Sequence, residues 1–168
     1  TTGMGKSMQE LLAASVELNV VDGVILPNLK MQGTEEACAY LDEEGRCSIH
    51  PYRPGICRLF PLGRYYENGG FSYFLQTGEC AKENRSKIKV SKWIDTPDLT
   101  RNQQFTLQWH DLLHAMEERL TGEDEGKQRE ENLLLLRLFY LLPYEGTIDF
   151  YTQFTERMEH WNGQNGQI

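Results

Sequence analysis

The chain has 168 residues with ordinary fractions of apolar (39%) and charged (25%) residues, a composition that excludes wholesale disorder. Its formal net charge of −8 argues against nucleic-acid binding, because a groove for a phosphate backbone needs an excess of Lys and Arg. No segment has the pattern of a secretory signal or of a membrane-spanning helix. We therefore expect a cytoplasmic protein that binds neither nucleic acid nor a membrane, and the sequence does not identify a partner.

The first predicted element is a helix whose start is marked by Ser7 and Glu10. A serine followed three residues later by a glutamate forms a capping box, in which each side chain bonds the other residue's free backbone N–H. Apolar residues at helical spacing follow, so we expect a helix over residues 8–18. The run from Gly3 to Ser7 is similar to the end of a phosphate-binding loop. The earlier glycine and the strand of that motif are not in the sequence, so the capping box is the preferred interpretation.

Hairpin signals dominate the rest of the first half. Asp22-Gly23 between β-branched residues predicts a tight turn with strands over residues 20–26, ended by Pro27 and Asn28. Asn68-Gly69-Gly70 separates two aromatic-rich runs and predicts a second hairpin. The expected pairings are 39–41 with 46–49 and 63–67 with 71–75. Prolines between these two pairs leave room for about one turn of helix at residues 56–60.

The second half is predicted to be helical. Thr96-Pro97 is a typical helix start, with Thr96 as the cap and Pro97 in the first turn. The three expected helices cover residues 96–120, 128–142 and 148–160. The sequence thus predicts an α+β fold, in which small antiparallel β-hairpins around a cysteine-rich loop region are followed by a C-terminal helical layer. The expected organisation is a cysteine-cluster region at 1–95, helices packed on it at 96–161 and a frayed tail at 162–168.

All four cysteines lie in one quarter of the chain, with the spacing C-x8-C-x9-C-x22-C: Cys38, Cys47, Cys57 and Cys80. In a reducing cytoplasm, cysteines are more often metal ligands or reactive thiols than disulfides. Zinc and iron–sulfur clusters both use sets of about four thiolates. The close C-x2-C pairs of zinc fingers are missing, so spacing alone leaves two alternatives: a metal site, or buried cysteines that act as small apolar side chains.

The context of the cysteines favours the metal site. Arg53 and Arg58 lie close in sequence to Cys57, and Arg46 precedes Cys47. Positive charge of this kind favours thiolates and stabilises an anionic cluster.

Several other side chains are weaker candidates for a functional role. His50 is a candidate accessory ligand, although packing is the preferred interpretation. His110 and His114 share a helix face at a spacing that suits a metal, but they have no accompanying acidic motif. Aromatic residues of the second hairpin suggest a ligand-stacking surface, and a buried core face is preferred.

The segment Cys-Ala-Tyr-Leu-Asp-Glu-Glu-Gly-Arg-Cys-Ser-Ile-His-Pro-Tyr-Arg-Pro-Gly-Ile-Cys-Arg-Leu-Phe-Pro resembles the signature of the YkgJ-type cysteine-cluster proteins, whose domain is described as zinc- or iron-chelating. The family pattern combines an acidic turn, G-x-C-x-I and R-P-x-x-C-R-x-[FY]-P. This resemblance implies that Cys38, Cys47, Cys57 and Cys80 are ligands of zinc or of an iron–sulfur cluster. It also implies a further C-x2-C-x2-C-C group before the first helix, so we expect upstream cysteines to complete the site.

The resemblance does not supply a settled activity. The first interpretation is a metal-binding protein of unassigned activity. Related domains are described as iron–sulfur oxidoreductases, and a similar cluster occurs in flagellin lysine methylases, so a redox or methyltransferase-linked enzyme is the alternative. A structural or partner-binding protein without a catalytic role is the further alternative.

Overall fold

The computed structural model describes residues 2–79 and 87–165, and it has the predicted α+β class. Its elements in chain order are a 3-10 turn Thr2–Met4, α1 Met8–Ala14, β1 Val16–Val21, β2 Val24–Leu29, β3 Met31–Gln32, β4 Ala37–Cys38, a 3-10 turn His50–Tyr52, α2 Gly55–Leu59, β5 Leu62–Glu67, β6 Gly70–Leu75, α3 Val90–Ile94, α4 Leu99–Leu120, α5 Glu125–Leu136, a π-helical turn Arg137–Leu141 and α6 Phe150–Asn165. The strands form three separate antiparallel pairs, β1–β2, β3–β4 and β5–β6.

The chain divides into two compact units. The first comprises the described part of residues 1–49 and 112–168, and the second comprises that of residues 50–111. None of the helices within residues 2–79 and 87–165 is long and apolar enough to cross a membrane.

The capping box that starts α1 is confirmed. The Ser7 N–H donates to Glu10 Oε2 at 2.8 Å, and the Glu10 N–H donates to Ser7 Oγ at 3.2 Å. These hydrogen bonds from Ser7 lower the pKa of the Glu10 carboxyl. The predicted helix end at Leu18 was wrong. The helix stops at Ala14, because Val16 and the residues after it pair with β2 as a strand.

The first hairpin turns at Asp22 and Gly23, which have φ angles of 51° and 81°. Its strands are longer than predicted, and Pro27 lies inside β2 opposite Leu18. A proline is tolerated there because its nitrogen is directed away from the partner strand and needs no hydrogen. The N–H of Ile25, two residues earlier on the same side, likewise donates outside the hairpin, to Asn132 Oδ1 at 2.6 Å.

Helices α5, α6 and the C-terminal part of α4 form the core of the first unit. The apolar side chains buried in these helices and the π-helical turn are Leu112, Met116, Leu120, Leu135, Leu136, Leu138, Phe139, Phe154 and Trp161. The predicted starts of the last two helices were wrong. Helix α5 begins earlier, at Glu125, because Asp124 caps it by accepting from two backbone N–H groups. Helix α6 begins at Phe150 and continues to Asn165, beyond the predicted end at His160.

The second unit contains α2, the β5–β6 hairpin, α3 and the first part of α4. The predicted turn of helix at residues 56–60 is confirmed as α2, and the aromatic hairpin turns at Asn68 and Gly69 with φ angles of 50° and 70°. Helix α3 was not predicted. Helix α4 begins at Leu99 rather than at Pro97, because Asp98 supplies the cap through its Oδ1, which accepts from the Arg101 N–H at 3.0 Å.

Candidate metal centre

Cys38 and Cys47 lie on the two arms of one tight turn in the first unit. Cys38 ends β4 opposite Met31, and its carbonyl oxygen accepts from the Leu41 N–H at 3.0 Å. Leu41 in turn forms an antiparallel bridge with Cys47. The pairing expected between residues 39–41 and 46–49 is confirmed, although as a single bridge rather than a ladder. Both cysteine side chains are half-buried.

The acidic residues between these cysteines build the turn. Asp42 Oδ1 accepts from the N–H groups of Glu44 at 3.0 Å and of Arg46 at 2.8 Å, which is an Asx-type turn. Gly45 has a φ of 72°, a value that favours glycine. The Arg46 side chain is 73% exposed and forms an ion pair with Glu44. Its charge is therefore engaged by a carboxylate of the turn.

Tyr40 anchors the turn to the end of α1. Its hydroxyl oxygen lies 2.5 Å from Ser15 Oγ, and Ser15 is only 6% exposed. Its carbonyl oxygen accepts from both the N–H and the hydroxyl of Ser48, at 2.8 and 2.9 Å. These contacts fix the arms on which the two cysteines lie. The Ser15–Tyr40 contact was not predicted, because nothing in the spacing of the two residues signals it.

Cys57 lies in α2, in the second unit, and its side chain is half-buried. The neighbouring Arg58 donates to the carbonyl oxygens of Pro51 at 2.9 Å and Asp95 at 3.4 Å. The indole N–H of Trp93 contacts the carbonyl oxygens of Leu59 and Phe60 at 3.3 and 3.2 Å, which satisfies the C-terminal end of α2. Arg58 and Trp93 thus hold the segment that carries Cys57. This role of Trp93 was not predicted from the sequence.

Arg53 and His50 precede α2. Arg53 is half-buried, and its Nε is buried without a hydrogen-bond partner in the described part of the chain. Leaving a buried donor unpaired costs about 1–3 kcal/mol. His50 begins the 3-10 turn and is exposed. Of these two accessory candidates, only Arg53 has a buried donor that lacks an acceptor.

The described residues do not form a metal-binding group by themselves. In neither unit do three or more His, Cys, Asp or Glu side chains within residues 2–79 and 87–165 form a group that could hold a metal ion. Cys80 lies outside the described residues. The ligand set of four cysteines therefore stays a prediction.

The two helix histidines each have a neighbour. The His110 ring stacks on Tyr66 with centroids 3.7 Å apart, and His114 Nδ1 lies 3.6 Å from Glu118 Oε1. Packing accounts for His110, as the aromatic-core interpretation of the second hairpin implies.

Residues 5–86 match the model of a family named CxxCxxCC and described as a putative zinc- or iron-chelating domain. The matched segment contains all four cysteines of the chain. The match supports metal binding by a cysteine cluster, and it leaves the YkgJ-type assignment and the identity of the metal as predictions. No curated protein and no solved structure matches the chain.

Proposed function

We propose that this chain is a cytoplasmic metal-binding protein in which Cys38, Cys47, Cys57 and Cys80 supply thiolate ligands to zinc or to an iron–sulfur cluster. The observation that carries the proposal is the match of residues 5–86 to a zinc- or iron-chelating domain. All of the chain's thiols lie within that segment. Soft thiolates are the ligands that both zinc and iron–sulfur clusters prefer.

The described side chains fit such a group in their chemistry. Cys38 and Cys47 are half-buried on the arms of a turn that has its own hydrogen bonds, which is a suitable support for ligands. Arg53 has a buried Nε–H without an acceptor in the described part of the chain, and a thiolate or a cluster sulfide would supply one. Zinc would contribute a structural cross-link, whereas an iron–sulfur cluster would contribute electron transfer.

Metal analysis tests the proposal directly. The protein is expressed from its full-length reading frame and purified without oxygen, and its zinc and iron contents are measured together with its visible absorption. We expect about one zinc per chain or, alternatively, iron with broad visible absorption. A folded, colourless protein with far less than stoichiometric zinc and iron would refute metal binding.

Single substitutions then test the ligands. Cys47→Ser replaces a soft ligand by a poor one, so the retained metal is expected to fall at least tenfold. Glu43→Gln is the matched control, because Glu43 is an exposed residue of the same turn and contributes no thiolate. Equal metal contents in the two variants would remove Cys47 from the ligand set.

Arg53→Met tests the supporting role of the unpaired donor. Loss of a hydrogen-bond donor next to a metal site typically lowers metal affinity about 10–100-fold. Arg46→Met is the control, because Arg46 is exposed and paired with Glu44. If both variants bind metal as the unchanged protein does, Arg53 serves only the packing of the second unit.

A further inference from the structure

One face of the β5–β6 hairpin combines a cation with aromatic rings. Arg64 lies directly across from Tyr73, and Tyr66 lies across from Phe71. These pairs are two residues apart on each strand, so all four side chains share a face. The Arg64 guanidinium carbon lies 5.3 Å from the centre of the Phe71 ring and 6.0 Å from that of Tyr73. Helix α4 covers part of this face, where His110 stacks on Tyr66.

Two donors on this face lack acceptors. Arg64 Nε and the Tyr73 hydroxyl are both buried, and neither has a hydrogen-bond partner in the described part of the chain. An arginine can only donate and keeps its charge at all ordinary pH values. Among the described residues, the Arg64 guanidinium thus has ring contacts but an unpaired buried donor, and such a donor is energetically costly.

The side chains that the two strands place on this face do not include a carboxylate. The residues of the two strands on this side are Leu62, Arg64, Tyr66, Phe71, Tyr73 and Leu75, and none is acidic. The single carboxylate of the hairpin, Glu67, pairs with Gly70 on the opposite side. An acceptor for the two donors therefore has to come from outside the hairpin.

We propose that Arg64 and Tyr73 form a binding point for the oxyanion group of a small molecule, either a carboxylate or a phosphate. An oxyanion has several acceptor sites, so it takes a hydrogen bond from a guanidinium and from a phenol together. Both side chains are only half-buried, which leaves an approach from the solvent side. This site uses none of the cysteines, so it stands independently of metal binding.

Titration of the isotope-labelled protein tests the site. The Nε–H signal of Arg64, assigned from its loss in Arg64→Lys, is followed while inorganic phosphate or acetate is added, each compared with chloride at equal ionic strength. We expect a saturable shift with at least one oxyanion. Saturation by phosphate alone or by acetate alone identifies the ligand class. Absence of a saturable shift beyond that of chloride with both anions would overturn the proposal.

The tyrosine variants separate binding from folding. Tyr73→Phe keeps the ring and removes the hydroxyl, so affinity for the oxyanion is expected to fall about tenfold. Without oxyanion its melting temperature is expected to be unchanged or higher, because an unpaired buried group has been removed. Tyr65→Phe is the matched control, since Tyr65 lies on the other strand of the same hairpin and on the opposite, exposed face. A Tyr73→Phe variant that melts lower without oxyanion and binds it as tightly as the unchanged protein would show that the hydroxyl has a purely structural partner.

Discussion

Asn132 joins the helical part of the first unit to its first hairpin, and its replacement gives the sharpest test of the fold. The side chain is 3% exposed. Its Oδ1 accepts from the Ile25 N–H at 2.6 Å, and its Nδ2 donates to the carbonyl oxygens of Gly23 at 3.1 Å and Gln128 at 2.9 Å. One amide thus satisfies backbone groups in the turn and the second strand of the hairpin and in its own helix.

Asn132→Ala removes all three hydrogen bonds. Each contributes about 1 kcal/mol net, and the Ile25 N–H loses its acceptor in a partly buried position. Alanine is the better helix former, which offsets about 0.5 kcal/mol of the lost stability. We therefore expect the free energy of unfolding to fall by about 2–3 kcal/mol, measured as a lower urea midpoint at an unchanged slope.

The control for this measurement is Asn162→Ala, because Asn162 is an exposed asparagine on another helix, α6. Its expected effect lies within about 0.5 kcal/mol of zero. If Asn132→Ala costs less than about 1 kcal/mol relative to this control, the amide does not join the helix to the hairpin as argued.

Three further predictions concern other buried or close contacts. Glu131→Gln removes the charge partner of Arg119, whose Nη2 lies 2.6 Å from Glu131 Oε2 and whose Nε donates to the same oxygen at 2.9 Å, so we expect a loss of about 2–4 kcal/mol in urea unfolding. Burial raises the pKa of Tyr140, so the unfolded state releases this proton first. The contribution of Tyr140 to the free energy of unfolding is therefore fully present below about pH 10 and is lost as the pH rises above it. Tyr140→Phe is expected to flatten the alkaline part of a stability-versus-pH curve. Gly63→Ala places a Cβ against Phe74 Cζ, well inside van der Waals contact, which displaces a partly exposed ring and lowers the melting temperature, at a cost of about 1–2 kcal/mol. Gly70→Ala is the control in the same hairpin, because a Cβ there meets only an ordinary contact, 3.7 Å from the Glu67 carbonyl oxygen.

The turns were predictable because a few residue types control backbone φ. Asp22-Gly23 and Asn68-Gly69 adopt the positive φ angles that their identities predict, and each joins the expected antiparallel strands. The end of α1 was not predictable in the same way. The run after Ser15 suits a helix in its apolar spacing, but the register Val16 to Leu29 places it in a strand. Pairing with a distant segment outweighs a local preference of this size.

The candidate site likewise has features that local sequence predicts and features that it does not. The position of the cysteines around an acidic turn follows from local sequence, whereas the hydrogen bonds that Asp42 accepts within that turn were not predicted. Trp93 and Tyr40 support the cysteine segments through contacts with residues that are distant in sequence. No spacing rule reveals such contacts, because they depend on how separate elements pack.

The arginines near the cysteines show what the structure adds to the chemical argument. From sequence, Arg46, Arg53 and Arg58 form one group of positive charges that favours thiolates. In the structure, Arg46 is paired with Glu44, and Arg58 donates to two backbone carbonyl oxygens. Of these three arginines, only Arg53 has a buried donor that lacks an acceptor among the described residues. If an arginine supports a cysteine-bound metal, we therefore expect loss of metal affinity when Arg53 is replaced. Replacement of Arg58 is expected to affect the folding of the second unit first.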